Sequence, residues 1–321
     1  MDLTAGHYRA IRPDFLDKSW RQGCEIFCKS KEDGKVRFLK FAYYDPSSHG
    51  RILKMMKADD CRELFIHETD LIRYYEEAVF PKLRSKLDHE KPALQKVEDI
   101  YLVARNVLQE YFVNIASAKI LRNLNGLMEL FEQYLSEGNL GFMDVFGITR
   151  KDLHIHTHCA NVGLYCMILG IRLKMQSEAV QELGLGGMLF DVGKKEIPQE
   201  ILTKEGELNE DELRIIRSHP AAGRKILDNM KCYSENILRM AAEHHEQFNG
   251  GGYPSKLSQD KISPFAKVCS IMDVFNALTS ERPFRRQFSV VETLTIIKGK
   301  MAGYFDPKVF VNFIKIMASG S

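Results

Sequence analysis

His244-His245-Glu246-Gln247-Phe248-Asn249-Gly250-Gly251-Gly252-Tyr253-Pro254 is the stretch that decides how this chain reads. A histidine pair runs off the end of a helix-periodic segment, Glu235–His245, into a loop of three glycines closed by Tyr-Pro. Glycines let a backbone approach a ligand closely, and Pro254 fixes the exit of the loop. Neutral imidazole is a common ligand of transition metals. Six of the ten histidines fall between positions 154 and 245: His154, His156, His158, His219, His244 and His245.

Two aspartates, Asp191 and Asp273, interleave with these histidines. The steps His158 to Asp191, Asp191 to His219, His219 to His244 and His245 to Asp273 are 33, 28, 25 and 28 residues. Each step holds a helix and a return, so several helices can bring ligands to one core, as metal sites in bundles are built. Helical periodicity supports this over Val162–Leu173, Glu178–Phe190, Glu210–Met230, Glu235–His245, Phe265–Thr279 and Val290–Met301. Strand signals are almost absent beyond Asp144, and this half is predicted to be all-α. Gly184, Gly186 and Gly187 lie inside an apolar helical stretch and read as close helix packing, since the P-loop lysine pattern is missing.

On these residues the chain resembles the HD-GYP cyclic dinucleotide phosphodiesterases of the HD hydrolase superfamily, over about residues 145–315. The signature His-His-Glu-x-x-Asp-Gly-x-Gly-Tyr-Pro stands here as residues 244–254, with Asn249 in place of Asp. Other blocks follow in order: His158-Cys159-Ala160-Asn161-Val162, Lys204-Glu205-Gly206-Glu207-Leu208, His219-Pro220, and Asp273 through Arg285. The family's His-Asp-x-Gly-Lys reads Phe190-Asp191-Val192-Gly193-Lys194, so the histidine that names the family is a phenylalanine.

The resemblance implies two divalent transition-metal ions, with iron, manganese, nickel and zinc all suited to such ligands. One ion would draw on His158, Asp273 and the lost histidine. Asp191 would bridge to the second, held by His219, His244 and His245. His154, four residues before His158, is a candidate to refill the damaged site, because it lies one helical turn away on the same face; His156 lies on another face. Asp191 would help orient the attacking water, and Lys194 would neutralise the phosphate or protonate the leaving group. Arg282 and Arg285 resemble the family's further phosphate contacts, for which a guanidinium fork is suited. Tyr253 and Gly252 belong to the signature loop beside the substrate.

Two readings of different class follow. The first is a metal-dependent phosphodiesterase that cleaves cyclic di-GMP to linear pGpG or GMP, with another cyclic dinucleotide as a variant. The second is a degenerate receptor or scaffold, and Phe190 favours it. The resemblance also implies a signalling partner such as a GGDEF protein.

Composition bounds the rest. The 321 residues suggest two domains, and 45% hydrophobic with 27% charged residues are globular values. Lys+Arg 45 against Asp+Glu 43 leaves a net charge of +2, which is no footprint of general nucleic-acid binding. The seven cysteines include no Cys-x-x-Cys, and Cys24 and Cys28 read as packed thiols. No apolar run reaches membrane-spanning length and residues 1–14 do not read as a signal peptide, so the chain is expected to be cytoplasmic.

Residues 1–90 read as a small mixed α/β domain, so the chain is α+β overall. Cys24–Lys29 and Val36–Tyr44 form a hairpin over Lys31–Gly34, and Glu63–His67 is a third strand. Thr69 or Asp70 caps a helix starting near Leu71, which Pro81 kinks or ends. His7, His49, His67 and His89 are scattered surface or packing residues, and no receiver-type acidic cluster is present. Apolar residues recur every three or four positions from Val97 to Leu124. Residues 91–140 therefore read as a connector of one or two helices and a homodimer seam, or equally as a core helix of the helical domain at 141–321.

Overall fold

The computed structural model of the protein describes residues 7–11, 23–32, 35–45, 47–48, 50–52, 54, 63–87, 90–113, 118–149, 155–281 and 286–318. It divides into two compact units, Met1–Lys91 and Pro92–Ser321. The architecture is α+β, as expected.

The first unit holds β1 (Tyr8–Ile11), β2 (Cys24–Glu32), β3 (Lys35–Tyr44) and β4 (Leu64–His67). They form one sheet of order β1-β4-β2-β3 with every pairing antiparallel. The expected hairpin is β2–β3, and the third expected strand is β4. Tyr8, Phe27, Phe38 and Phe65 form an aromatic core on the sheet. β1 gives no sequence signal, because four residues with Arg9 in the middle show no clear alternation.

α1 (Glu68–Tyr74) starts earlier than the sequence suggests. Its cap is His67, not Thr69 or Asp70, and the His67 ring nitrogen accepts from the Thr69 N–H. Pro81 does not end the helix. The backbone widens into a π-turn at Tyr75–Val79, and α2 (Phe80–Leu87) continues through the proline. Proline has no N–H to return to the preceding turn, and a widened turn accommodates that gap. Cys28 is disulfide-bonded, which corrects its reading as a free packed thiol.

The second unit begins with α3 (Ala93–Val113) and α4 (Ala118–Glu137), which pack on each other. Gly126 lies inside α4 and does not break it. α5 (Phe142–Thr149), α6 (Ile155–Arg172) and α7 (Ser177–Leu189) follow. A Cβ on Gly187 would sit 2.8 Å from the Gly163 Cα, so these glycines let α6 and α7 approach at backbone distance. After α8 (Gln199–Leu202) come α9 (Glu210–Ile216) and α10 (His219–Asn229). The periodicity over Glu210–Met230 predicts a single helix, and the structure divides it in two. Pro220 lies in the first turn of α10, where its missing N–H costs nothing, and the break falls just before it. α11 (Glu235–Glu243), α12 (Pro264–Thr279), α13 (Val290–Gly299) and α14 (Pro307–Ala318) complete the unit. Phe142, Tyr165, Phe275 and Phe313 pack ring against ring at its core. No helix among the described residues is long and apolar enough to cross a membrane.

Candidate metal centre

Helix ends place the key side chains. α7 stops at Leu189 with Phe190 as its C-cap, and Asp191 opens a 3₁₀ turn over Val192–Glu196. Gly193 lets that turn press on the start of α10: a Cβ there would lie 1.9 Å from the His219 carbonyl oxygen. His219 is the first residue of α10, and His244 and His245 follow the end of α11. The loop after them is closed by Gly252, where a Cβ would meet the His245 carbonyl at 2.5 Å, and by the Tyr253 N–H donating to that carbonyl at 3.2 Å. The buried Glu246 carboxylate accepts the Ser255 and Leu257 N–H groups at 2.6 and 2.9 Å.

His219, His244 and His245 present ring nitrogens that all lie within 4.8 Å of one another. His219 Nδ1 is 2.6 Å from the Ile216 carbonyl, and His244 Nδ1 is 3.0 Å from the Ala241 carbonyl. A carbonyl only accepts, so both rings carry their proton on Nδ1 and leave Nε2 as a bare lone pair. Those two Nε2 atoms lie 3.0 Å apart. Asp191 Oδ1 lies 3.3 Å from one and 3.7 Å from the other. Asp191 is fully buried, and its Oδ1 accepts no hydrogen bond among the described residues. Three lone-pair donors thus converge with no proton between them. Such a cluster is stable when a cation sits among it, and imidazole nitrogens with a carboxylate oxygen suit a divalent transition metal.

Electrostatics agree. Burial holds His245 down to about 4 and His244 well below its ordinary value, so both rings are neutral and ligand-competent at neutral pH. Burial alone would raise the Asp191 carboxyl, but the Lys194 ammonium beside it holds it well below the usual carboxylate range. Lys194 Nζ donates to Asp191 Oδ2 at 2.5 Å. Burial would lower Lys194, and the charges of Asp191 and Asp273 outweigh it, keeping the lysine protonated.

His158 and Asp273 form a second pair, with the Phe190 ring against His158. The buried Phe190 ring is 4.8 Å from the His244 ring and 5.8 Å from the His158 ring, edge-on to both. His158 Nε2 is 2.9 Å from Asp273 Oδ1, so these two residues bond each other. The Tyr253 ring stacks on His245 at 4.8 Å, with the Arg217 guanidinium over its other part at 5.7 Å. His154, Arg282 and Arg285 lie outside the described residues. Asn161 and Asn276 escaped the sequence reading: Asn276 bonds His158 at 2.5 Å and Asn161 at 3.1 Å. Each stands three residues after a candidate ligand, His158 or Asp273, which is the one signal that pointed to them.

Known proteins resemble this chain over its second unit. The family described as "HD domain" matches residues 148–309. A cyclic di-GMP phosphodiesterase of Pseudomonas aeruginosa is 31% identical over 203 residues, 63% of this chain and 45% of that protein. The 3'3'-cGAMP-specific phosphodiesterase 1 of Vibrio cholerae is 35% identical over 164 residues, 51% of this chain and 38% of that protein. This chain spans less than half the length of either. Among solved structures, an HDG"Y"P protein from Bdellovibrio bacteriovorus superposes with a TM-score of 0.69 at 18% identity, covering 97% of this chain and 99% of that one. That likeness extends the shared fold over both units.

Proposed function

The chain belongs to the HD domain family, and from that premise we propose that it is a metal-dependent phosphodiesterase hydrolysing cyclic di-GMP to linear pGpG or onward to GMP. The observation that carries this reading is the meeting of His219 Nε2, His244 Nε2 and Asp191 Oδ1 without a proton among them. His245 completes the donor set. A bound ion supplies Lewis acidity toward a phosphate oxygen and an attacking water.

The chain's own groups do the rest. Lys194, held protonated beside Asp191, neutralises phosphate charge and has a proton for the leaving oxygen. The Asp191 carboxylate keeps that ammonium in place. Tyr253, stacked on His245, offers an aromatic face at the site, with Arg217 adding positive charge beside it. Gly252 shapes this loop instead of supplying a side chain. Arg282 and Arg285 are proposed as further phosphate contacts. A homodimer seam along residues 91–140, a GGDEF-type partner and a cytoplasmic location belong to the same proposal.

The receptor reading has its own support, since Phe190 replaces a ligand and His158 is engaged with Asp273. One experiment separates the two. The protein is purified without chelator, its metal content is measured, and it is incubated with cyclic di-GMP and with 3'3'-cGAMP while products are followed by HPLC. Linear product that disappears on chelation supports the enzyme. Nucleotide binding without product supports the receptor.

A further inference from the structure

We propose that this chain holds a single metal ion, because the Lys194 ammonium and the His158–Asp273 hydrogen bond occupy what would otherwise be a second ion and its ligands. The inference rests on the metal reading above and concerns how many ions these residues admit.

The argument turns on where each histidine keeps its proton. His219 and His244 rest Nδ1 on backbone carbonyls, so Nε2 is a lone pair. His158 is anchored in the opposite sense. The chain of bonds behind it starts at the Thr149 carbonyl, which accepts from Asn161 Nδ2 at 3.3 Å. That contact orients the Asn161 amide, because a main-chain carbonyl cannot donate. Tyr101 donates its hydroxyl proton to Asn161 Oδ1 at 2.5 Å, in keeping with the same orientation. Asn161 Nδ2 also donates to Asn276 Oδ1 at 3.1 Å. Asn276 Nδ2 must then face His158 and donate to its Nδ1 at 2.5 Å. With Nδ1 accepting, the proton of the neutral ring is on Nε2, where it is donated to Asp273 Oδ1 at 2.9 Å. A protonated nitrogen has no lone pair for a metal. Asn276 and Asn161 are therefore positioning residues that hold His158 in the non-ligating tautomer.

The carboxylate of Asp191 tells the same story from the other side. Its Oδ1 is bare and faces the proton-free histidines. Its Oδ2 is taken by the Lys194 ammonium at 2.5 Å, a cation already in place. The buried Phe190 ring offers no donor atom and packs edge-on against both His158 and His244. One cluster presents bare donor atoms, and in the other His158 and Asp273 meet across a proton.

The test is metal stoichiometry on the full chain, with Mn(II), Fe(II) and Zn(II) loaded separately and excess removed by gel filtration. One ion per chain is expected in the wild type and in His158→Gln, and none in His244→Ala. The Mn(II) form should give the six-line EPR spectrum of an isolated ion. In the metal-free protein, ¹⁵N–¹H correlation spectra should place the proton on Nε2 of His158 and on Nδ1 of His219 and His244. Two ions per chain, an exchange-coupled Mn(II) spectrum, loss of metal in His158→Gln, or a His158 proton on Nδ1 would each overturn the single-ion inference while leaving metal dependence standing. No retained ion of any of the three metals in the wild type would overturn the metal reading itself, and the inference with it.

Discussion

A buried histidine becomes a ligand or a hydrogen-bond donor according to what its far nitrogen touches. In His219 and His244 it touches carbonyls, and the near nitrogen faces Asp191. Replacing either residue by alanine should strip the ion and lower phosphodiesterase turnover by at least about 100-fold, since loss of mere supporting partners already costs about 10–100-fold in metal sites. Metal analysis and initial rates on the two variants check this. The pH dependence of the metal-free protein belongs to the same residues. His245 takes up a proton near its ordinary 6.5 when unfolded but only near 4 when folded. Between those values the unfolded chain binds more protons, so stability falls as pH drops from about 6.5 toward about 4. His244, held well below its ordinary value by burial, acts in the same direction. Asp191 and Asp273, both held below the usual carboxylate range, continue the loss at still lower pH. Urea midpoints measured across the interval should decline steadily, and a flat profile would mean that these rings are solvated.

At the scale of elements, the site depends on how closely the 3₁₀ turn of Val192–Glu196 seats against the start of α10. Gly193→Ala places a methyl 1.9 Å from the His219 carbonyl oxygen and 2.5 Å from the Gly223 nitrogen, both rigid backbone. Over-packing of this kind costs about 1–3 kcal/mol, and here the relief must come from moving Asp191 away from His219. Gly193→Ala is therefore expected to lower both the urea midpoint and the metal content, whereas Gly126→Ala, inside α4 with open space around it, should leave metal content unchanged. The same scale shows what the sequence could reveal. The helices of the second unit were readable from apolar periodicity, and His244 to Pro254 from adjacent residues whose chemistry is concentrated. The break between α9 and α10 was readable in principle from Pro220, but the amphipathic pattern runs on across it. Asn161 and Asn276 were not singled out, since an uncharged amide on a helix carries no signal until the tertiary fold brings it to a histidine. The bonding of His158 to Asp273 also escaped, because it depends on how α6 and α12 pack.

For the whole molecule, the donor set joins distant segments of one unit only. Asp191 comes from the end of α7, His219 from the start of α10, and His244 and His245 from the end of α11. All lie within Pro92–Ser321, while Met1–Lys91 has its own aromatic core of Tyr8, Phe27, Phe38 and Phe65. An ion bound to the folded form alone stabilises it by mass action, by about 2.7 kcal/mol when free metal is 100 times the dissociation constant. For a unit of this size each kcal/mol moves the melting midpoint by roughly 2–4 °C, so chelation should lower it by roughly 5–10 °C. Calorimetry with and without chelator measures the shift, and hydrogen exchange locates it. Protection should fall at Asp191–Gly193, His219–Asn229 and Glu235–Glu246 and stay constant in β1 to β4. Loss of protection spread equally over the sheet would mean that the ion does not bind where these donors converge. A loss confined to the second unit but centred on His158 and Asp273 would place the ion on that pair, and the tautomer argument would fall.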